Sequence, residues 1–374
     1  MTENEPNEQR RRVVVACQGG GSQTAFTAGV LTELLADPTV EIRALSGTSG
    51  GAVCARLAWY GLLTRRPEDG IRRLEDFWED NTTHGFYENL LQAVTVASIR
   101  TVAELGITVE FSPYNIPFDA RQQFLQLLER HLPFDDIRPD ELDPSGPRLL
   151  VGATDVRSGR FRVFRSHVVN GYPADRFTST VILASSAVPT LFRAVRVGED
   201  VYWDGVYAQN PPIRELVDAG RPVTPKGPDG PPPEELWVIQ IDPDQRSGVP
   251  MAVDAIRDRR TELSANISYQ QEIFTIGHVN KLIQERLLTA RALTRYRPIK
   301  VRVITMSDAV ASGLDWESKL VRSPGFIHRL FTHGKERARL FRRLLDSPDA
   351  DEATALRDRN IWGQWTAPVP PYLG

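Results

Sequence analysis

Ser46-Gly47-Thr48-Ser49-Gly50-Gly51 follows a short apolar strand signal at Ile42, Ala44 and Leu45. It precedes a mostly apolar helix signal through Ala52, Val53, Ala55, Leu57, Ala58 and Trp59. The frame Gly47-x-Ser49-x-Gly51, set between strand and helix, is that of a nucleophile elbow, a sharp turn that lifts a serine hydroxyl above a sheet. Such a turn needs residues without a Cβ, because the chain reverses tightly and a neighbouring strand and helix crowd it. A GxSxG frame recurs by chance in many chains; the strand before it and the helix after it give this one weight.

Working outward, Val13-Val14-Val15-Ala16-Cys17 is a continuous apolar run, the pattern of a central parallel strand covered on both faces. Gln18-Gly19-Gly20-Gly21-Ser22 breaks it, and Ala25 to Ala36 reads as a helix with Phe26, Val30, Leu31, Leu34 and Leu35 inward. Strand, glycine loop, helix, strand, elbow, helix is an α/β beginning with parallel pairing. The glycine loop has two functional readings. As a dinucleotide fingerprint, Gly19-x-Gly21-x-x-Thr24 lacks the third glycine, and Ser46-Gly47 stands where an acidic residue is needed. As an oxyanion hole, consecutive glycines let several main-chain N–H groups converge in front of a helix N-terminus. A mere turn needs one glycine; three beside a candidate nucleophile favour the oxyanion hole.

A chain of 374 residues can bury a large core in one or two domains. With 45 basic against 48 acidic residues, no whole-protein field favours nucleic acid. Cys17 and Cys54 are the only cysteines, both in apolar surroundings, which argues against a disulfide scaffold or a structural zinc site. The apolar run after Arg10-Arg11-Arg12 is shorter than the ~7–15 residues of a secretory hydrophobic region, and no stretch reaches the ~20 of a membrane span. The expectation is a soluble cytoplasmic protein, at most peripheral at membranes.

Residues 1–12 read as a disordered tail, 13–217 as the main domain, 218–235 as a Pro/Gly-rich loop, and 236–374 as a C-terminal α/β extension packed on the same sheet. Residues 67–79 and 118–131 read as amphipathic helices. The unusually apolar Phe86 to Phe111 between them reads as a core helix pair or as a cap over the site. Arg148 to Ala153 is a strand with a hairpin-like return through Phe161 to Phe164, and Asp175 to Ala187 a helix. Val201-Tyr202-Trp203 runs as a strand into Asp204-Gly205, an aspartate that in isolation reads as an Asx-turn or cap. Leu236 to Ile241 and Ile299 to Thr305 are further strands, and 252–290 one long helix or two. The basic helix at 325–346 (Arg329, Lys335, Arg337, Arg339, Arg342, Arg343) reads as a solvated face or a patch for anionic headgroups.

Three blocks in this order, Gly19-Gly20-Gly21, Gly47-Thr48-Ser49-Gly50-Gly51 and Asp204-Gly205, resemble the patatin-like phospholipases over about residues 13–217. Ala153-Thr154-Asp155, Ala184-Ser185-Ser186-Ala187-Val188-Pro189 and Asn210-x-Pro212 are similar to that family as well. The resemblance implies a three-layer α/β fold with a mostly parallel sheet, helices on both faces, and the elbow after the second strand. It implies a lipid acyl hydrolase with Ser49 as nucleophile, Asp204 as general base, and the amides of Gly19, Gly20, Gly21 and Ser22 as oxyanion hole, without catalytic histidine, metal or cofactor. The expected partner is a phospholipid or lysophospholipid ester, with transient membrane contact and no nucleic acid. Two positions depart from the family pattern. Gln23 stands where Arg or Lys often follows the glycines, which weakens charge assistance at the oxyanion, and Val206 stands where Gly or Ala often follows Asp-Gly. The rival is an α/β-hydrolase esterase with Ser49, Asp204 or Asp242, and one of His278, His328 or His333; that fold places several strands before its elbow, and here one precedes it. The other rival is a non-catalytic lipid-binding protein with a decayed site.

Overall fold

The computed structural model describes residues 10–83, 112–115, 120–132, 137–189, 191–221, 232–246 and 248–345. The apolar stretch from Phe86 to Phe111, most of the 218–235 loop and the chain beyond 345 lie outside the described residues.

Strand β1 (Arg11–Cys17) is buried from Val13 onward. Its alternation feeds two separate cores: Val13, Val15 and Cys17 belong to one cluster, Val14 and Ala16 to the other. A strand covered on both faces sits mid-sheet. β1 pairs in parallel with β2 (Val40–Thr48) on one side and with β7 (Glu235–Gln240) on the other. β7 carries β8 (Lys300–Thr305), and β2 carries β3 (Arg148–Asp155), all in parallel. The antiparallel strands β4 (Phe161–Arg165), β5 (Val195–Val197) and β6 (Asp200–Asp204) finish the eight-stranded sheet at the β3 end. The chain beyond the Pro/Gly-rich loop therefore contributes two strands to the sheet that carries the glycine loop and the elbow.

The register along β3 decides what meets what. β4 pairs with Leu150 to Thr154, and β2 pairs with Arg148 to Gly152, so these two strands hold opposite edges of β3. β6 pairs with Ala153 to Asp155, overlapping β4, and so lies on the β2 edge. β2 ends with Thr48 opposite Gly152, and β6, running the other way, ends with Asp204 opposite Ala153. The two strands meet end to end.

One helical layer comprises α1 (Ala25–Leu35), α2 (Gly50–Leu63), α3 (Pro67–Thr83), α4 (Ala120–His131), α5 (Ser179–Ser185) and α10 (Pro324–Leu344). The opposite face is covered by α6 (Arg214–Ala219) and α7 (Val253–Gln284), through Leu216, Tyr269 and Ile273. The short helices α8 (Ala290–Arg295) and α9 (Asp308–Ala311) flank β8.

The structure corrects or adds to the sequence expectations at four places. The helix expected from Asp175 begins at Ser179, because the Asp175 carboxylate accepts from Arg165 N at 2.9 Å and pairs with Arg162, tying that segment to β4. β5 goes unread because a three-residue strand has no measurable periodicity. α1 is buried on nearly every side, since it lies between the sheet and α10. The basic helix keeps a solvated face, with Arg329, Arg339, Arg342 and Arg343 exposed, but its other side is buried. A Cβ on Gly29 of α1 would lie 1.9 Å from the Phe331 carbonyl oxygen, and one on Gly334 would lie 2.1 Å from that of Phe26, so α1 and α10 touch backbone to backbone. Four of its six cations are engaged within the molecule: Arg339 with Glu33, Arg342 with Asp37, Lys335 with Glu75, and Arg337 with the Thr305 carbonyl.

Candidate active site

The turn from β2 into α2 has the geometry its sequence requires. Ser49 sits at φ 55° and ψ −130°, a conformation that an L-residue adopts only under strain imposed by its surroundings. The surroundings are tight. A Cβ on Gly47 would lie 2.5 Å from the Gly51 carbonyl oxygen, and one on Gly51 2.4 Å from that of Cys17. Ser49 N–H donates to Ser185 Oγ at 3.0 Å, and Ser185 Oγ donates to the Gly152 carbonyl at 2.6 Å, so α5 clamps the elbow onto β3. The serine side is 7% exposed.

Asp204 is 1% exposed at the end of β6. Its main chain is held twice, by Asp204 N–H donating to Ala187 O at 2.9 Å and by Thr154 Oγ1 donating to Asp204 O at 2.9 Å. Oδ1 accepts from Val206 N–H at 2.9 Å, and Oδ2 is buried without a full hydrogen bond. Burial pushes the carboxyl up to about 7, opposed by the Val206 N–H, the Ser49 hydroxyl and the charge of Lys319. The hydroxyl is thus close enough to act on this carboxyl while stopping short of a formed bond. Val206, where the sequence departs from the family pattern, still supplies this backbone N–H. Gly205 lies against the Gly152 carbonyl.

The glycine loop packs on the elbow from the other side. A Cβ on Gly19 would lie 3.0 Å from Ser49 Cβ, and one on Gly50 2.9 Å from the Gly21 carbonyl oxygen. The four amides are not equivalent. Gly19 N–H is taken by Asn210 Oδ1 at 2.7 Å, whereas Gly20, Gly21 and Ser22 N–H have no acceptor among the described residues. A short 3₁₀ turn, Gly21–Thr24, leads from this loop into α1.

Sequence reasoning missed the frame around these parts. Thr48 Oγ1 donates to the Gln209 carbonyl at 2.8 Å, and Asn210 N–H donates to Ser268 Oγ of α7 at 3.2 Å. Glu272 of α7 accepts from Ile213 N–H at 2.9 Å and Arg214 N–H at 2.7 Å, and also from the Gln209 amide. The segment after Asp204 is thereby strung between elbow, glycine loop and α7. Gln18 Oε1 accepts from Ile241 N–H at 2.7 Å and Asp242 N–H at 2.8 Å, securing the loop's first residue to the end of β7. Asn210 and Ser185 stood in stretches already similar to the family; Gln18, Ser268 and Glu272 carry no motif that could have pointed to them.

Gln23 faces away from the serine. Its buried amide donates to Asp315 O at 3.1 Å and Ser318 Oγ at 2.8 Å, anchoring the segment that carries Lys319. Lys319 pairs with the buried Asp242, packs its carbonyl on Gly21, and acts electrostatically on Asp204. The one cation shown to act on Asp204 thus comes from the far end of the chain. None of the histidines considered for a triad reaches the site: His278 and His328 are exposed, and His333 accepts from Ser307 N–H at 3.1 Å beside Phe26.

Serine at a strained turn, a buried carboxyl of raised pKa and a set of open amides are the parts of acyl-transfer chemistry. The family model described as patatin-like phospholipase matches residues 15–217. The chain belongs to that family. Membership supports a hydrolase acting on lipid. No curated protein matches the chain in sequence. Among solved structures it is similar to VipD from Legionella pneumophila, at 12% identity and TM-score 0.39 over 89% of this chain and 66% of that one. It is also similar to a chain of the heterodimeric ExoU–SpcU complex from the type III secretion system of Pseudomonas aeruginosa, at 16% identity and TM-score 0.30 over 91% and 56%. The patatin-like chain thus covers less than two thirds of the length of either. Among its described residues no helix is long and apolar enough to cross a membrane, and no group of three or more His, Cys, Asp or Glu could hold a metal ion.

Proposed function

We propose that the chain hydrolyses carboxylic esters of phospholipids or lysophospholipids through a Ser49 acyl-enzyme. Asp204, ionised, takes the Ser49 proton as Oγ attacks the ester carbonyl; the amides of Gly20, Gly21 and Ser22 receive the oxyanion; and the proton passes to the leaving alcohol as the tetrahedral adduct collapses. Water then attacks the acyl-enzyme with Asp204 again accepting the proton, releasing the fatty acid and restoring the serine. The single observation that carries this reading is the end-to-end meeting of β2 and β6 along β3, with the Ser49 hydroxyl beside the Asp204 carboxyl. A buried carboxyl near neutrality is a far better base at working pH than a solvated one. In the same reading the chain from 236 onward belongs to the catalytic unit, since α7 and Lys319 brace the glycine loop and the segment after Asp204.

Ser49→Ala abolishes both ester turnover and labelling by a fluorophosphonate. Asp204→Asn lowers turnover by about 10²–10⁴, the usual worth of a general base, with the circular dichroism spectrum unchanged. Turnover of the unmodified protein rises with pH and levels off above about 7, because the working form is the carboxylate. Assays on purified variants against phospholipids, lysophospholipids and neutral glycerides test this; full turnover in either variant sinks it.

A further inference from the structure

The glycine loop is held at three points by chain from beyond residue 236, and Lys319 is attached to all three. At the loop's start, Gln18 Oε1 accepts from Ile241 N–H and Asp242 N–H at the end of β7, and Lys319 Nζ pairs with Asp242 Oδ1. In its middle, Gly21 sits at φ 54°, and a Cβ there would run into the Lys319 carbonyl oxygen. At its end, the Gln23 amide donates to Ser318 Oγ, on the residue before Lys319. The turn that carries Lys319 is itself fixed, since Ser318 N–H donates to Asp315 Oδ1 at 2.7 Å and Ser318 Oγ to Asp315 O at 2.6 Å. A lysine side chain ordinarily loses much rotamer freedom when it is held in one place. This one is fixed from both ends, its backbone on Gly21 and its ammonium on a buried acid, so its charge has a definite position.

That position is next to the reacting groups. A Cβ on Gly50 would lie 2.9 Å from the Gly21 carbonyl oxygen, so one residue of the loop lies between Lys319 and the elbow. The charged groups around this point belong to three elements. On the turn of Lys319 are Asp315, engaged by Ser318 N–H, and the exposed Glu317. After β7 come the buried Asp242 and then Arg246, which pairs with Glu262 of α7. On α7, Arg259 also pairs with Glu262, and Asp258 accepts from Trp316 N–H at 3.3 Å. Among the described residues, Asp204 itself faces the Val206 N–H, the Ser49 hydroxyl and a single charge, that of Lys319. A solvated carboxylate needs no help to ionise near neutral pH. A carboxyl as buried as Asp204 does, and a cation held nearby favours its charged form.

We propose that Lys319 is a positioning residue for the Ser49 reaction: held across the glycine loop by Asp242, it seats the open amides and keeps the buried Asp204 carboxyl ionised. The proposal rests on the reading of Ser49 and Asp204 as nucleophile and base. The test compares three variants of the full chain: Lys319→Gln, Lys319→Arg, and Lys319→Gln combined with Asp242→Asn. The double variant leaves no buried acid without its cation, so it guards against a fold lost for that reason alone. The pH dependence of kcat/KM is measured on a soluble short-chain nitrophenyl ester. Removing the cation leaves more of the base protonated at a given pH. The midpoint of the rising limb is therefore expected to move up by at least about 0.5 pH unit in both Gln variants and by less than about 0.2 in Lys319→Arg. A residue that only shaped the loop would lower the plateau above the midpoint and leave the midpoint in place. Asp204 is also titrated directly, by carboxyl ¹³C NMR in the Ser49→Ala background, its signal assigned by its loss in Asp204→Asn. An upward move there on adding Lys319→Gln upholds the action of Lys319 even if the unmodified protein cleaves no ester, so failure of the catalytic reading is told apart from failure of this one. An unmoved midpoint in both Gln variants, or an equal upward move in Lys319→Arg, would overturn it.

Discussion

α7 and α10 are the longest helices of the C-terminal part, 32 and 21 residues, and they are buried on opposite principles. α10 lies across α1 at a glycine–glycine crossing, with Ile327, Leu330, Ala338 and Phe341 in the core and its cations on acids of α1, α3 and the α1–β2 turn. α7 lies across the ends of strands and loops, where backbone groups need partners, so Asn266, Ser268 and Glu272 flank Ala265, Tyr269 and Ile273 on its inner side while four large apolar residues point outward. What a helix buries depends on what it covers. An apolar neighbour takes the apolar face; a set of open amides takes polar side chains and displaces hydrophobes to the surface.

The largest effect is expected at the crossing. Gly334→Leu must force the α1 and α10 backbones apart and is expected to cost at least about 3 kcal/mol, more than ordinary overpacking, because the clash is with backbone. Leucine at exposed Thr275 of α7 is expected to change stability by less than about 0.5 kcal/mol. Urea denaturation of both variants measures the contrast, and equal effects would erase the distinction between the two helices.

Next comes the polar side of α7. Glu272→Ala leaves the Ile213 and Arg214 amides without their acceptor, at a cost of about 1–3 kcal/mol, and is expected to lower kcat on a soluble ester about 10-fold by loosening the Asn210 segment. Glu272→Gln keeps an acceptor oxygen for those amides and should recover much of both.

The same residue carries a pH signature. Burial raises Glu272 from 4.5 to about 7 and Asp204 from 3.8 to about 7, so between those limits the folded chain holds protons that the unfolded chain has released. Stability contributed by these two groups therefore falls as pH rises through that window and is constant above it. Urea midpoints at about pH 5 and about pH 8 should differ less in Glu272→Gln and Asp204→Asn than in the unmodified protein.

The smallest effect belongs to the ion pairs of α10. Lys335→Ala and Arg339→Ala, whose side chains are 28% and 56% exposed, should each cost no more than about 1 kcal/mol and less in high salt. A larger loss in thermal melts would mean that charge, rather than the glycine crossing, holds α10 to α1.

The chain's own order of residues settled the family, the α/β architecture and the elbow after the second strand. Each is a local matter: β-branched runs set strands, and a turn as tight as that of Ser49 admits only glycine at Gly47 and Gly51. Three things were decided by the tertiary structure alone. It spends Gly19 N–H on Asn210, 191 positions away, and draws Gln23 to Ser318, 295 positions away. It packs one side of the basic helix on α1, with surface cations reaching acids of its neighbours, and leaves large hydrophobes of α7 exposed. The physical reason is common to all three: hydrogen-bond partners and buried faces are set by what the fold brings alongside, and neither composition nor period along one segment records its neighbour.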